Sequence, residues 1–232
     1  MYNRPFTVET LTSFFVSIPF IFYICAAHME NAQQVLLLNR SAELFKKHGV
    51  KTLTMDDIAK ELSMSKKTIY RFVENKADLV KMAMQFYLEG DQAQLKKIVT
   101  QSENAVDGMI KMIAYFFNQV REFDAYVLLD IQKYYPETWD VYNEYRYKYT
   151  LSLISDNLKG GAKEGYYRND FDPDIFSKIF IGAVDLLIDQ RLFPSKKYVF
   201  IDIYKEFLKY HLRGVVTPKG LEYVEQHNLF RN

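Results

Sequence analysis

The stretch TMDDIAKELSMSKKTIYRFVENKADL, Thr54–Leu79, decides how the rest of the chain is read. Thr54 followed three residues later by Asp57 has the form of a helix N-cap with its reciprocal acid, and Ile58, Ala59 and Leu62 then recur on one helical face. A break at Ser63-Met64 follows. Ser65 caps a third short helix, Lys66 to about Val73, whose inward residues are Ile69 and either Phe72 or Val73. Asn75, with Asp78 three residues on, opens a fourth helix running from Lys76 towards Val99. Two short helices across a tight break make a helix-turn-helix, whose second helix suits a DNA major groove.

The residue types on the outward face fit that use. Lys66, Lys67 and Arg71 neutralise phosphates or donate to guanine edges, Thr68 can meet a thymine methyl, and Tyr70 carries a hydroxyl on a stiff arm. Helix N-termini at Thr54 and Asn75 add backbone N–H groups suited to phosphate, and Lys76 adds charge. Between residues 63 and 76 stand Lys66, Lys67, Arg71 and Lys76 against Glu74 alone, four minus one or +3, in a chain whose total is +1. Short charged helices are more often plain solvated faces. Here helix lengths, caps and inward apolar residues all agree, which favours DNA.

Upstream, apolar residues at Val35, Leu38, Ala42 and Phe45 give a helix over Ala32–Lys47 that stops at Gly49. Downstream, helices are expected over Ala105–Phe123, Tyr126–Tyr135, Pro136–Glu164, Pro173–Leu192 and Lys196–Arg213, with breaks at Gly160-Gly161 through Asp172, at Phe193-Pro194 and after Gly214. No alternating strand pattern occurs, and 9 Gly with 6 Pro among 232 residues leave few turns. The fold class is all-α.

The stretch from about Asn31 to Asp91 resembles the DNA-binding domain of the tetracycline-repressor (TetR/AcrR) family of bacterial regulators. TMDDIAKEL, SKKTIY and NKADL carry the likeness, with Ser65, Lys66, Thr68, Ile69, Tyr70, Lys76 and Leu79 at the family's pattern positions. The resemblance implies that Thr54, Ser65, Lys66, Lys67, Thr68, Tyr70, Arg71 and Lys76 form the DNA-binding set. It also implies a helical C-terminal domain that dimerises and takes a small molecule. The family usually has Phe where Val73 stands, with Phe72 here one place earlier, and often Gly where Lys67 stands.

The implied organisation is an extension over 1–30, a helix-turn-helix head over 31–91 with its motif at about 54–73, and a helical ligand-binding and dimerisation domain over 92–232. The last part, from residue 91, holds 19 basic and 20 acidic residues, so the positive excess stays with the head. Its segment Tyr134–Tyr149 is densely aromatic, and Tyr135, Trp139 and Tyr142 share a helical face. Aromatics with polar tips line pockets as well as they pack helices. Packing is the commoner role; Phe116, Trp139 and Tyr142 are the ligand-site candidates, for an effector expected to be apolar or aromatic. The stripes Ile175, Ile179, Ala183, Leu186, Leu187 and Ile201, Tyr204, Leu208 mark the two helices that the resemblance assigns to a four-helix dimer interface.

Enzyme readings fail at the sequence. The four His, at 28, 48, 211 and 227, lack metal-ligand spacing, and Cys25 stands alone. Asp170, Asp172 and Asp174 begin like a calcium loop, but Ile175 and Ile181 occupy the places of its Gly and Glu; Asp172-Pro173 reads as a helix N-cap instead. No catalytic residue, metal site or cofactor is expected. The expected function is a cytoplasmic, sequence-specific DNA-binding regulator: a repressor that binds a palindromic double-stranded DNA operator as a homodimer and is released by a small-molecule effector. The alternative is a membrane-anchored helical protein using Leu11–Ala27, which carries no charge. That stretch is 17 residues, about 26 Å as a helix, and is interrupted by Pro19. No stable membrane association is expected. Met29 stands directly before the first helix, and residues 1–28 hold ten Phe, Ile or Tyr. The favoured reading is a mis-called start, with translation beginning at Met29.

Overall fold

The computed structural model describes residues 31–226 apart from 123, 124, 188, 190 and 195. The apolar N-terminal stretch and its competing readings therefore lie outside the described residues. Eleven helices are seen in the described chain: α1 (31–48), α2 (Met55–Glu61), α3 (Lys66–Ile69), α4 (Lys76–Thr100), α5 (Ala105–Glu122), α6 (Ala125–Tyr134), α7 (Pro136–Glu144), α8 (Leu151–Lys163), α9 (Pro173–Leu187), α10 (Phe200–Val215) and α11 (Pro218–Gln226). A π-helical segment, Tyr145–Thr150, joins α7 to α8. No strand occurs among the described residues; an isolated antiparallel bridge pairs Tyr167 with Val216. The all-α expectation holds.

Helix ends follow local chemistry. Gly49, at φ +76°, ends α1 with its N–H on the Phe45 carbonyl at 2.8 Å, a left-handed stop that glycine adopts without Cβ strain. The break after α2 is a Schellman turn: Ser63 N–H bonds Lys60 O at 3.1 Å and Met64 N–H bonds Ala59 O at 2.9 Å. Ser63 takes the left-handed position there, at φ +53°. Asp172 caps α9 through the N–H groups of Asp174 (2.8 Å) and Ile175 (3.3 Å), with Pro173 first in the helix.

Two apolar clusters hold the molecule, and α4 runs through both. At 1.5 Å per residue its 25 residues span about 37 Å. Leu79, Val80, Ala83, Met84 and Leu88 belong to the first cluster, with Leu37 and Phe45 from α1 and Ile58, Leu62, Ile69 and Val73 from the two short helices and the turns that follow them. Leu95 belongs to the second, with Val106, Met112, Leu158, Tyr167, Tyr204 and Leu212. Buried Asp91 lies at the seam. Val127 and Ile131 of α6 and Trp139 and Tyr142 of α7, beyond residue 91, also pack on the first cluster.

Several expected bounds move. The stripe on α1 starts later, since Val35 is 44% exposed while Leu37 is fully buried. The helix opened by Lys66 is α-helical only to Ile69; Arg71 and Phe72 then take i−3 bonds, to Thr68 O and Ile69 O. The span Pro136–Glu164 is continuous but changes register through the π segment. α9 ends at Leu187 and α10 begins at Phe200, so Lys196–Val199 is not helical as expected. The sequence reading places no helix after Gly214, yet Pro218 starts α11, whose Gly220 and Val224 are buried. Ile175, Ile179 and Leu186 of α9 are 57, 59 and 55% exposed, while Phe180, Ile181 and Leu187 face the core.

Candidate nucleic-acid interface

α2 and α3 are positioned by reciprocal caps at one end and a shared core beneath. The Thr54 hydroxyl accepts from Asp57 N–H at 3.2 Å, and the Asp57 carboxylate accepts from Thr54 N–H at 2.9 Å and from its hydroxyl at 2.6 Å. These bonds hold the Asp57 carboxyl below the ordinary carboxylate value. Ser65 caps α3 by accepting Thr68 N–H at 3.0 Å, and the two hydroxyls lie 2.7 Å apart. Ile58, Ile69 and Val73 point inward at 0, 0 and 3% exposure, fixing which faces turn outward.

That outward face carries Lys66, Lys67, Tyr70 and Arg71, all exposed, with Thr68 half-buried between them. Arg71 lies 5.7 Å from the Phe72 ring, and Phe72 itself packs against the first cluster. Val73 fills the core position and Phe72 lies along its edge, which settles the displaced aromatic.

Several predicted residues carry more than an outward role. Lys66 pairs with Asp56 of α2 at 3.0 Å; the hydrogen bond and charge of Asp56 hold its ammonium above the usual lysine value. Asp56 lies outside the window 63–76, so the sequence count missed it, but the turn brings it against α3 and lowers the local charge. Both side chains are solvent-exposed, so this pair contributes little to stability and gives way readily to a phosphate. Ser65 and Thr54 spend their hydroxyls on caps. Lys76 turns its ammonium inward, donating to Val50 O at 2.5 Å and Lys51 O at 3.4 Å, with the Tyr135 ring 5.9 Å away. It ties the α1–α2 connection to α4. At the α4 start, Asn75 accepts Asp78 N–H at 3.0 Å and Asp78 accepts Glu74 N–H at 3.0 Å, so part of that N-terminus is already capped.

The ligand-site candidates are not brought together. Phe116 packs on the second cluster, whereas Trp139 and Tyr142, 5.4 Å apart, pack on the first. A small apolar cleft lies elsewhere, between α1, α4 and α6, lined by Phe45, Lys46, Met84, Tyr87, Val127 and Ile131 among others. Sequence reasoning also missed a buried polar group at the seam. Asp91 accepts from the Tyr115 hydroxyl at 2.6 Å and from the Tyr145 hydroxyl, and burial pushes its carboxyl up despite both bonds. The signal was present: Asp91 falls on the same helical face as Met84, Leu88 and Leu95, where an apolar residue belongs. No group of three or more metal-ligating side chains occurs among the described residues, and no described helix is long and apolar enough to cross a membrane.

Comparison with known proteins agrees with this geometry. Residues 37–83 match the family model described as bacterial regulatory proteins, tetR family. The chain is 24% identical over 164 residues to the HTH-type transcriptional regulator YvaF of Bacillus subtilis, covering 69% of this chain and 83% of that one. It is 24% identical over 148 residues to the HTH-type transcriptional repressor KstR2 of Mycobacterium tuberculosis, covering 62% and 74%. Among solved structures, KstR2 superposes with a TM-score of 0.56 at 20% identity, covering 80% of this chain and 95% of that one. A transcriptional regulator from Saccharomonospora viridis in complex with choline gives 0.67 at 17% identity, covering 81% and 99%. These relatives are regulators rather than enzymes. The helix-turn-helix built on Thr54, Ser65 and their buried partners thus lies inside the stretch that matches the tetR family of bacterial regulatory proteins, and residues 37–83 carry the DNA-binding region of a tetR-type transcriptional regulator.

Proposed function

We propose that the chain is a repressor that binds a palindromic operator as a homodimer and leaves it when a small molecule occupies the part of the chain beyond residue 91. The observation that carries this is the outward face of α2 and α3. Lys66, Lys67, Tyr70 and Arg71 are exposed together on elements whose inward residues are locked in a core. Lys67 and Arg71 are the base or phosphate donors, Tyr70 and Lys66 position the backbone, and Thr68 offers its methyl. Thr54 and Ser65 act by fixing the helix starts beside the DNA. Lys76 fixes the loop before α2 and adds charge behind it. The organisation is a head over 31–91, a ligand-binding and dimerisation body over 92–232, and an extension over 1–30; the working compartment is the cytoplasm, where the DNA is.

Dimerisation is supported by α9. Its exposed Ile175, Ile179 and Leu186 recur at helical spacing on one side, opposite the side that packs inward. Tyr210 of α10 is 80% exposed. One recognition helix reads few base pairs, and two-fold symmetry doubles the contact. Relatives support the rest: KstR2 is named a repressor, and the Saccharomonospora viridis regulator holds choline. An effector that favours the wrong spacing of the two heads lowers operator affinity by its differential binding. Phe116, Trp139 and Tyr142 remain the aromatic side chains proposed to feel that effector, from the two clusters they belong to.

The test is binding to the DNA upstream of the chain's own gene, measured against salt. Lys67→Ala is expected to weaken binding about 10-fold and to reduce the slope of log affinity against log salt by about 1. Ile179→Glu is expected to give monomers with operator affinity at the non-specific level. Salt-independent binding, or full affinity from an Ile179→Glu monomer, would sink the reading.

A further inference from the structure

Most polar bonds of the head are local caps, but Asp91 is held by residues far along the chain. It is 6% exposed, on α4, between Leu88 of the first cluster and Leu95 of the second. Its partners are the hydroxyls of Tyr115 on α5 and Tyr145 on the π segment. The Tyr149 ring lies 5.4 Å from that of Tyr145, and its hydroxyl donates to Gln92 O at 3.1 Å. Both carboxylate oxygens are hydrogen-bonded, yet neither donor carries positive charge. No lysine or arginine pairs with Asp91 among the described residues. Arg146, the arginine of the π segment, is taken by Asp185 at 2.5 Å.

A buried carboxylate without an opposite charge costs stability, and an apolar residue there would join the two clusters into one core. Buried carboxylates perturbed in this way cluster at functional sites. We propose that Asp91, ringed by Tyr115, Tyr145 and Tyr149, binds the cationic group of the effector, and that the effector is a small organic ammonium ion with an apolar or aromatic body. This rests on the reading above that the body responds to a small molecule. An anion is repelled by Asp91. A neutral molecule leaves the carboxylate uncompensated. An organic cation gains its charge and the negative faces of the tyrosine rings together.

The route to the head is α4 itself. When the ammonium group replaces the Tyr145 hydroxyl at Asp91, the π segment keeps only the Tyr149 bond to Gln92 O of its two ties to α4, the helix that begins in the head at Asn75. π segments sit within helices where an α register is a close alternative, so the freed segment has a second state to occupy.

The experiment is calorimetric titration of the full chain, without DNA, using benzyltrimethylammonium, benzyl alcohol and benzoate. Asp91→Asn and Tyr145→Phe are titrated alongside, with thermal melts and upstream-DNA binding as controls. The expected result is ammonium binding at least about 10-fold tighter than benzyl alcohol. Asp91→Asn is expected to bring the ammonium down to the benzyl alcohol level, and Tyr145→Phe to retain it. The proposal is overturned by equal binding of the three probes, by preference for benzoate, by no ammonium binding below about 1 mM, or by undiminished binding in Asp91→Asn. Should Asp91→Asn fail to fold, the wild-type ranking of the three probes decides alone. A wild-type chain that binds ammonium but not its upstream DNA counts against the repressor reading and leaves this one standing.

Discussion

The head and the body of this regulator solve the problem of buried and terminal polar groups in opposite ways. In the head, the bonds that shape the interface join residues three or four apart: Thr54 with Asp57, Ser65 with Thr68, Asn75 with Asp78. In the body they cross the chain. Ala105 N–H donates to Glu164 at 2.9 Å, and the Tyr167 hydroxyl donates to Ala105 O at 3.1 Å. Tyr115 and Tyr145 converge on Asp91, and Arg146 reaches Asp185. A local device can be rebuilt from a few residues, whereas a cross-chain one exists only once the whole body is folded. The head should therefore tolerate changes that the body does not.

Four substitutions bring that contrast to measurement. The largest effect is expected at Gly161, where an added Cβ runs into the Tyr167 ring and comes within 2.9 Å of the Ala105 Cβ. Tyr167 is 1% exposed and has no room to move, so Gly161→Ala should cost about 3 kcal/mol in urea unfolding. A cost near zero would mean that the body yields as easily as the head.

His211 comes next. It sits 4.4 Å from the Phe176 and Phe180 rings and 5.5 Å from Phe207, and its Nε2 finds no hydrogen-bond partner among the described residues. Burial lowers its pKa to about 4 from an ordinary 6.5. The unfolded chain thus takes up a proton that the folded chain refuses. Stability from this group is complete above pH 6.5 and drains away as pH falls towards 4. At pH 5 the loss is about 2 kcal/mol relative to pH 7. His211→Leu should remove that part of the pH dependence; the same acid slope in both proteins would exclude His211 as its source.

The head effects are smaller. Ser63→Gly removes the strain of a left-handed serine and should stabilise by about 0.7 kcal/mol, read as a higher midpoint in urea. A loss of stability would show that the Ser63 side chain contributes something the backbone does not reveal. Asp56→Asn releases Lys66 from its exposed partner. DNA affinity should rise about 3-fold, with a steeper salt dependence. Unchanged affinity would place Lys66 away from the phosphates.

The same contrast explains what could be read from the sequence. Thr54, Ser65, Asn75 and Gly49 announce their own structure because each cap is written within four residues, and the helix ends they mark fall at those letters. The body offered periodicity but few such signs. Ile175, Ile179 and Leu186 read as one apolar stripe with Leu187, although three of these four face outward. Nothing local told Phe116 from Trp139, yet they pack on different clusters. The inward bonds of Lys76 could not be read, because its neighbours in space, the carbonyls of Val50 and Lys51, are 25 residues or more away in sequence. Asp56 escaped for a milder version of the same reason, being ten residues from the lysine it pairs with.

The π segment Tyr145–Thr150 has one further consequence. A helix advances about 100° per residue, and a π turn takes up roughly one residue more than an α turn. It therefore acts as a phase shifter between the aromatic face of α7, which meets the head cluster through Trp139 and Tyr142, and the apolar face of α8, which meets the body cluster through Ile154 and Leu158. Deleting one residue between Tyr145 and Thr150 would restore plain α geometry while keeping both faces aligned. Deleting one in α7 or α8 would leave the shift in place and swing one face away from its cluster by about 100°. Between Pro136 and Lys163 the π segment is thus the short window in which a residue can be lost without losing register.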